Sequence, residues 1–388
     1  MSAPVVIVGG GLAAGTAATE LRDAGYDGDV VVFADEPVVP YERPPLSKAV
    51  LRGEKDAAST YVQPTDWYAE HDVVVRTGTR VTVLDLDADT VHTEHGETPF
   101  SALLLATGAR PRALPLEGTS AIEVRYLRSL ADATALHGRL GPDRRLLVVG
   151  AGWIGMEVAA SARQLGTSVT VVEPHEEPLL TVLGPEIGAR FAAVHRAHGV
   201  DLRTRTSLDH LEDDRAVLTD GSSIEVDTVL VGVGAVPNDD LARAAGLDVD
   251  NGVLVDAGLR SSHGRVFAAG DVANALHPLL GERIRVEHWQ NAISQGRAAA
   301  HALLGEPVSY REVPYFFTDQ YDLGMEYFGH LGSAGFDDLQ VEAGPTDDAF
   351  AAYWSRDGRL VAAMHVNEWD RSEELKGRVE AGLRAGVR

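Results

Sequence analysis

Val5–Val8 (VVIV) is a run of four apolar residues with no polar position between them, the pattern of a parallel strand buried on both faces. A glycine-rich turn follows, and an alanine-rich stretch from about Leu12 to Ala24 then reads as a helix. Val30–Phe33 (VVVF) repeats the buried-strand pattern and completes a strand–helix–strand unit. The same order returns later as Leu146–Val149 (LLVV), a glycine turn, a helical stretch to about Leu165, and Val169–Val172 (VTVV). Two copies some 140 residues apart predict two nucleotide-binding folds in one chain, not a solenoid, whose period would be ~20–50 residues.

Two further apolar strands, in LLLATGARPR (103–112) and VLVGVGAVPN (229–238), each end in a glycine turn and a proline, as matching exits from the two folds. VFAAGDVA (266–273) is another strand-to-turn unit. From about Pro314 the pattern changes to clustered aromatics and short alternating runs, such as Ala351–Trp354 and Leu360–His365. The predicted class is α/β, with two Rossmann-like dinucleotide-binding domains and a C-terminal α+β domain. The expected boundaries are 1–109 with 238–310 for the first domain, 110–237 for the second and 311–388 for the third.

One stretch fits neither pattern. PYERPPLSK (40–48) holds three prolines beside an arginine and a lysine, and is expected to contain no regular element. Lysine is otherwise scarce: Lys48, Lys55 and Lys376 are the only three.

Composition narrows the function. A formal net charge of -24 argues against non-specific binding to nucleic acid or an anionic membrane. The absence of cysteine excludes a disulfide framework, a thiolate metal site and a thiol redox relay, and fits a cytoplasmic protein. No apolar run approaches the ~18 residues of a membrane span. The N-terminus enters a strand at once and reads as the start of the fold, not as a signal peptide. The histidine pairs His195/His198 and His92/His95 have no third ligand nearby in sequence and read as surface residues, with no metal expected.

The glycine turns carry the chemistry. VGGGLAAG fits G-x-G-x-x-A at Gly9, Gly11 and Ala14, between a strand and a helix whose N-terminus can face a pyrophosphate. Asp35, about 24 residues beyond Gly11, stands where a ribose hydroxyl partner belongs. VGAGWIGME is a full G-x-G-x-x-G at Gly150, Gly152 and Gly155, and its acid is Glu173. A carboxylate there accepts from a ribose 2′-OH and repels a 2′-phosphate, which favours NAD over NADP. Two such folds in one chain suggest a flavin in one and a nicotinamide in the other.

At this point the chain resembles the FAD- and NADH-dependent ferredoxin reductases of the putidaredoxin reductase type, and more distantly the apoptosis-inducing factor group, all with a glutathione-reductase-like fold. The likeness runs the full length through VGGGLAAG, PYERPPLSK, ATGARPR, LRSLADA, GAGWIGME, VGVGAVPN, AAGDVA, VEHWQNA and PYFFTDQYD. It implies FAD held by Gly9, Gly11, Ala14, Asp35, Arg43, Lys48, Val81, Ala106, Thr107, Gly108, Arg128, Asp271, Glu287, His288, Trp289 and Phe317. It implies NAD held by Gly150, Gly152, Ile154, Gly155, Glu173, Gly232 and Gly234. Lys48 would stand beside the reactive edge of the flavin, paired with Glu157, and Trp289 would open a helix whose N-terminus faces the pyrimidine end. Plainer readings stand beside these: Asp271 as a helix cap, Arg128 as a surface residue, Glu157 as an exposed helical carboxylate, Trp289 as core.

The activity so implied is NADH:ferredoxin oxidoreductase. The partner would be a small acidic 2Fe–2S ferredoxin that serves a haem monooxygenase or ring-hydroxylating dioxygenase. An NADH oxidase or diaphorase using oxygen or quinone, and an NADH-responsive flavoprotein of the apoptosis-inducing-factor type, are the alternatives. Two acidic proteins repel, so a local arginine patch is expected, with Arg283, Arg285, Arg297 and Arg311 as candidates. The sequence departs from the family in two places. After Glu173, Glu177 and Thr181 stand where relatives carry arginines, and Phe317 replaces a tryptophan, which keeps an aromatic ring but loses its N–H donor.

Overall fold

The computed structural model describes residues 3–115 and 122–385. The apolar runs form two five-stranded parallel sheets. In the first, Val5–Val8 lies between Val30–Phe33 and Ala102–Leu105, with Val73–Arg76 and Val266–Ala268 at the edges. In the second, Arg145–Val149 lies between Ser168–Glu173 and Thr228–Val231, with Asp201–Thr204 and Glu123–Arg125 at the edges. Both sheets therefore place the glycine-turn strand at the centre, where the strand order reverses. Ligands of open parallel sheets bind at such a switch point, beyond the carboxyl ends of the strands.

The second fold is inserted into the first. Its entry and exit, Ala109–Pro111 and Ala235–Pro237, pair antiparallel as a two-stranded ribbon. Around it Asn238 N donates to Gly108 O (2.9 Å), the Asn238 amide to Thr107 O (2.8 Å) and Thr107 Oγ1 to Asn238 O (2.7 Å). The two matching sequence exits are thus two sides of one crossing.

The glycine turns are required by close approach. A Cβ on Gly9 (φ 139°) would stand 2.0 Å from Ala106 O, and one on Gly150 (φ 99°) would stand 2.5 Å from Gly232 O. In each fold the first motif glycine presses against the exit of the next parallel strand. Helix Leu12–Asp23 packs along helix Trp289–Leu303 through small residues; a Cβ on Gly296 would come within 2.7 Å of Ala13 O. That contact brings two helix N-termini to one end of the first sheet.

The C-terminal region is a five-stranded antiparallel sheet in the order 315–320, 323–329, 359–366, 350–356, 338–343. Its strands alternate with period two. Met325, Tyr327, Ala352, Trp354 and Met364 join Leu179, Leu183, Ile187 and Phe191 of the second fold in one core. Phe328, Ala351, Tyr353 and Ala363 face helix Ser372–Arg384 through Leu375, Val379 and Leu383.

The proline loop corrects one expectation. Pro44–Ser47 is a short 3₁₀ helix, with proline at its first positions, where the missing N–H costs nothing, and with Leu46 and Ser47 buried. The histidine pair corrects another: His195 lies fully buried under the C-terminal sheet, while His198 stacks on Tyr321 with centroids 3.7 Å apart.

Candidate functional site

The two folds and the C-terminal sheet meet around a cavity of about 1050 Å³, counted to its open mouth. Three helices start at it: Leu12–Asp23, Trp153–Gln164 and Trp289–Leu303. None has a side-chain cap or an acid in its first turn. Their free N–H groups and positive dipole ends are directed at whatever occupies the cavity, and favour an anion.

The cations of the cavity are each matched. Arg128 pairs with Asp271 at 2.5 Å, and Lys48 with Glu157 at 2.7 Å. Arg43 pairs with Glu36 at 3.2 Å, and donates to Tyr41 Oη (2.9 Å) and to Arg128 O (2.6 Å). This ties the proline loop to the segment before helix Leu130–His137, whose capping box is Ser129 with Asp132. Beside Lys48, Phe317 meets Trp289 edge to face (6.0 Å, 87°) and lies 5.7 Å from the Lys48 ammonium. The Trp289 indole donates to Glu42 at 3.1 Å. Pro44, Lys48, Trp289 and Phe317 also line a second, more open space, which collects Arg52 and Lys55 as well. These four residues form a thin wall between the two spaces.

The lining fits a dinucleotide with a flat ring. Two buried donor-capable atoms at the cavity, Arg128 Nε and His288 Nδ1, have no hydrogen-bond partner among the described residues. Burial pushes the His288 imidazole down to about 4, so it is a neutral group that can donate or accept. A Cβ on Gly152 would meet nothing within 4 Å, so the second glycine motif opens directly onto free space. Ile154, beside it, is 45% exposed, unusual for its type, and lines the first cavity.

Of the residues singled out in the sequence, fourteen line this cavity: Gly11, Arg43, Lys48, Ala106, Thr107, Gly108, Arg128, Ile154, Glu157, Asp271, Glu287, His288, Trp289 and Phe317. Gly9 and Ala14 lie just behind, in the turn and the helix it opens. Asp35 and Val81 lie away from it: Asp35 is 58% exposed and paired with Arg80 at 2.6 Å, and Val81 is buried in the core of the first fold. Gly150, Gly155, Glu173, Gly232 and Gly234 gather at the end of the second sheet. There the Glu173 carboxylate accepts from Ala151 N (2.8 Å) and His175 N (3.1 Å). Glu157 is not an exposed helical carboxylate; it is 3% exposed.

Sequence reasoning missed Trp153, Tyr315 and Phe316, which also line the cavity. Trp153 contacts Phe316 with centroids 4.5 Å apart. A signal existed: Trp153, Glu157 and Ser161 share one helical face at i, i+4 spacing. Just past the end of strand Asp201–Thr204, Arg205 pairs with Glu176 at 2.9 Å. The four arginines expected as an exposed patch are each engaged within the chain. Arg285 is mostly buried against Glu287 at 2.5 Å, Arg283 donates to Val255 O and Asn274 O, Arg297 lies 3.6 Å from Glu20, and Arg311 donates to Ser309.

Residues 3–296 match the family model described as pyridine nucleotide-disulphide oxidoreductase, and residues 315–385 match one described as reductase C-terminal. The chain belongs to the pyridine nucleotide-disulphide oxidoreductase family. Among its relatives is the ferredoxin–NAD(+) reductase component of the anthranilate 1,2-dioxygenase system of Burkholderia cepacia, 39% identical over 94% of this chain and 91% of the relative. Rhodocoxin reductase of Rhodococcus erythropolis is 37% identical, covering 94% and 86%, and putidaredoxin reductase of Pseudomonas putida is 35% identical, covering 96% and 91%. The reductase in the crystal structure of the covalent putidaredoxin reductase–putidaredoxin complex superposes with a TM-score of 0.92 at 34% identity, covering 98% of this chain and 94% of that one. The resemblance read from the motifs holds over nearly the whole length. The disulphide in the family's name has no counterpart in this member, which lacks cysteine altogether.

Proposed function

We propose that this chain is an FAD-dependent NADH:ferredoxin oxidoreductase, the reductase component of an oxygenase system with a haem monooxygenase or ring-hydroxylating dioxygenase at its end. The observation that carries the reading is the junction itself. Two nucleotide folds open on one cavity walled by Lys48–Glu157 and Phe317, in a member of a disulphide reductase family that has no thiol to pass electrons through. When bound, FAD takes a hydride from NADH and releases the electrons singly, which suits a one-electron iron–sulfur partner.

The residues supply binding and orientation. Gly9, Gly11, Ala14, Arg43, Arg128 and Asp271 would hold FAD, with Asp35 and Val81 at its adenosine end. Gly150, Gly152, Gly155, Ile154, Glu173, Gly232 and Gly234 would hold NAD. The N-terminus of helix Trp289–Leu303 and the Lys48 ammonium would each favour negative charge on a bound flavin, the helix at its pyrimidine end and the lysine beside its reactive edge. Stacking between aromatic and aliphatic walls supplies the alignment that hydride transfer needs. The domain division that goes with this is 1–109 with 238–310 for FAD, 110–237 for NAD and 311–388 for the C-terminal cover. Among the described residues no helix is long and apolar enough to cross a membrane, and we place the protein in the cytoplasm.

The test is direct. Purified protein loaded with FAD should reduce cytochrome c with NADH only when a 2Fe–2S ferredoxin is added. Rapid reoxidation by air without a carrier, at the same rate with and without ferredoxin, would replace this reading by an NADH oxidase.

A further inference from the structure

Glu157 receives three donors. Ser47 Oγ (2.5 Å) and Lys48 Nζ (2.7 Å) reach Oε2, and Thr318 Oγ1 donates to Oε1 at 2.6 Å. The Thr318 hydroxyl in turn faces Gln320 Nε2 at 3.2 Å, and Gln320 Oε1 faces His195 Nε2 at 2.7 Å. A carboxylate only accepts, so Thr318 must spend its one proton on Glu157. Its oxygen then needs a donor, which is the Gln320 amide nitrogen. That orientation turns the Gln320 carbonyl to His195 and requires the Nε2–H tautomer there. Burial pushes His195 down to about 4, which keeps the ring neutral, and its Nδ1 has no partner among the described residues. Every proton in the chain points toward Glu157.

Geometry explains why the rungs meet. Trp153 and Glu157 are one helical turn apart, about 6 Å of rise, and Phe316 and Thr318 are two strand residues apart, about 6.6 Å. Helix and strand therefore stay in step, with Trp153 on Phe316 and Glu157 on Thr318. Ser47, Glu157, Thr318, Gln320 and His195 are all buried. They come from the proline loop, two helices of the second fold and the C-terminal sheet, so one polar line crosses all three regions.

We propose that Thr318, Gln320 and His195 are positioning residues for Lys48. By occupying Oε1 of Glu157, the chain leaves only Oε2 for the ammonium and so fixes it at the cavity wall beside Phe317. With Oε1 free, Lys48 can bridge both oxygens and withdraw from the cavity. This rests on the reading of Lys48 as the cation at the flavin edge.

The test uses FAD-loaded full-length protein, with NADH bleaching followed by stopped flow and the flavin midpoint potential measured separately. Thr318→Val, which keeps shape and removes the hydroxyl, is expected to lower the limiting bleaching rate ~10-fold, while the NADH Kd stays within about 2-fold. It should also make the flavin potential more negative. Thr318→Ser should restore rate and potential. Gln320→Met, which leaves Thr318 and Glu157 in place, should move both in the direction of Thr318→Val, by less. Wild-type rate and potential in Thr318→Val, or equal impairment in Thr318→Ser, would overturn the proposal. Loss of FAD from both Thr318→Val and Gln320→Met would also overturn it, since the chain would then hold the fold and not the lysine. A wild-type protein that NADH does not bleach would instead sink the functional reading on which the proposal stands.

Discussion

Lys48 Nζ and Glu157 Oε2 lie 2.7 Å apart, the lysine from the proline loop of the first fold and the glutamate from the glycine-motif helix of the second. The pair is a buried bridge between the elements expected to hold the two nucleotides. Its partners differ in their dependence on each other. Glu157 keeps two hydroxyl donors if the lysine is removed, whereas Lys48 keeps a long contact to Pro44 O (3.4 Å) and its place over the Phe317 ring if the glutamate is removed.

Lys48→Ala should therefore fold and bind FAD, with a stability loss of about 2 kcal/mol, less than the full cost of an orphaned buried charge. Flavin bleaching by NADH should slow ~10²-fold, the scale of one lost electrostatic donor at a reacting centre. Denaturant titration and stopped-flow absorbance check the two halves separately. Unchanged bleaching kinetics would return PYERPPLSK to the status of a rigid link.

Glycines of one motif should fail in different ways. Gly152→Ala adds a Cβ to open space at a backbone conformation that any residue adopts, so thermal stability should be kept while NADH affinity falls ~10-fold through lost approach of the pyrophosphate. Gly155→Ala places a Cβ 2.1 Å from Gly150 O and should cost several kcal/mol, about 2–4, by forcing helix from strand. Melting curves set beside NADH titrations separate the two; equal losses of stability would contradict the geometry.

The elements and their roles were legible to different degrees. Buried parallel strands announce themselves as unbroken apolar runs, so VVIV and LLVV located both sheets within a residue. The insertion of one fold in the other was visible only as two similar exits, because a ribbon such as 109–111 with 235–237 is held by pairing, not by pattern. The burial of His195 was not legible. Its helix is amphipathic, but the residue it bonds, Gln320, is far off in sequence and reaches it only because the C-terminal sheet lies on that helix. The surroundings of Lys48 were legible through the family likeness alone, since no local pattern says which carboxylate a loop lysine meets.

Glu173 has one observed contact and one proposed role, and substitution should separate them. Its carboxylate accepts the Ala151 amide of the glycine turn, so Glu173→Ala should lower stability by about 1–2 kcal/mol as that donor loses its partner. In the proposed NAD site it would also supply the negative charge that repels a 2′-phosphate, so the preference for NADH over NADPH should narrow ~10-fold. Glu173→Gln, which keeps an acceptor without the charge, should retain most of the stability and still lose the preference. Steady-state kcat/KM for the two nucleotides, with either variant, decides between a structural and a selective role.

His195 should make the fold sensitive to mild acid. Burial holds its folded value at about 4, below the ordinary imidazole value of 6.5, the Gln320 hydrogen bond opposing this and nearby His198 adding to it. Between these values the unfolded chain binds a proton that the folded chain refuses, so stability rises with pH through that window and is lost as pH falls from about 6.5 toward 4. One such group contributes a slope of about 1.4 kcal/mol per pH unit. His288, pushed down to about 4 by burial against the pull of Asp271, adds in the same direction. His195→Gln can still donate to Gln320 but never titrates, so subtracting its stability from that of the wild type cancels every other group. The difference should shrink by about 2 kcal/mol in favour of the variant between about pH 6.5 and pH 5, read from denaturant midpoints. A difference that stays flat across that range would mean that His195 takes up its proton in the folded protein, and that the direction of the hydrogen-bond line to Glu157 is not fixed from its far end.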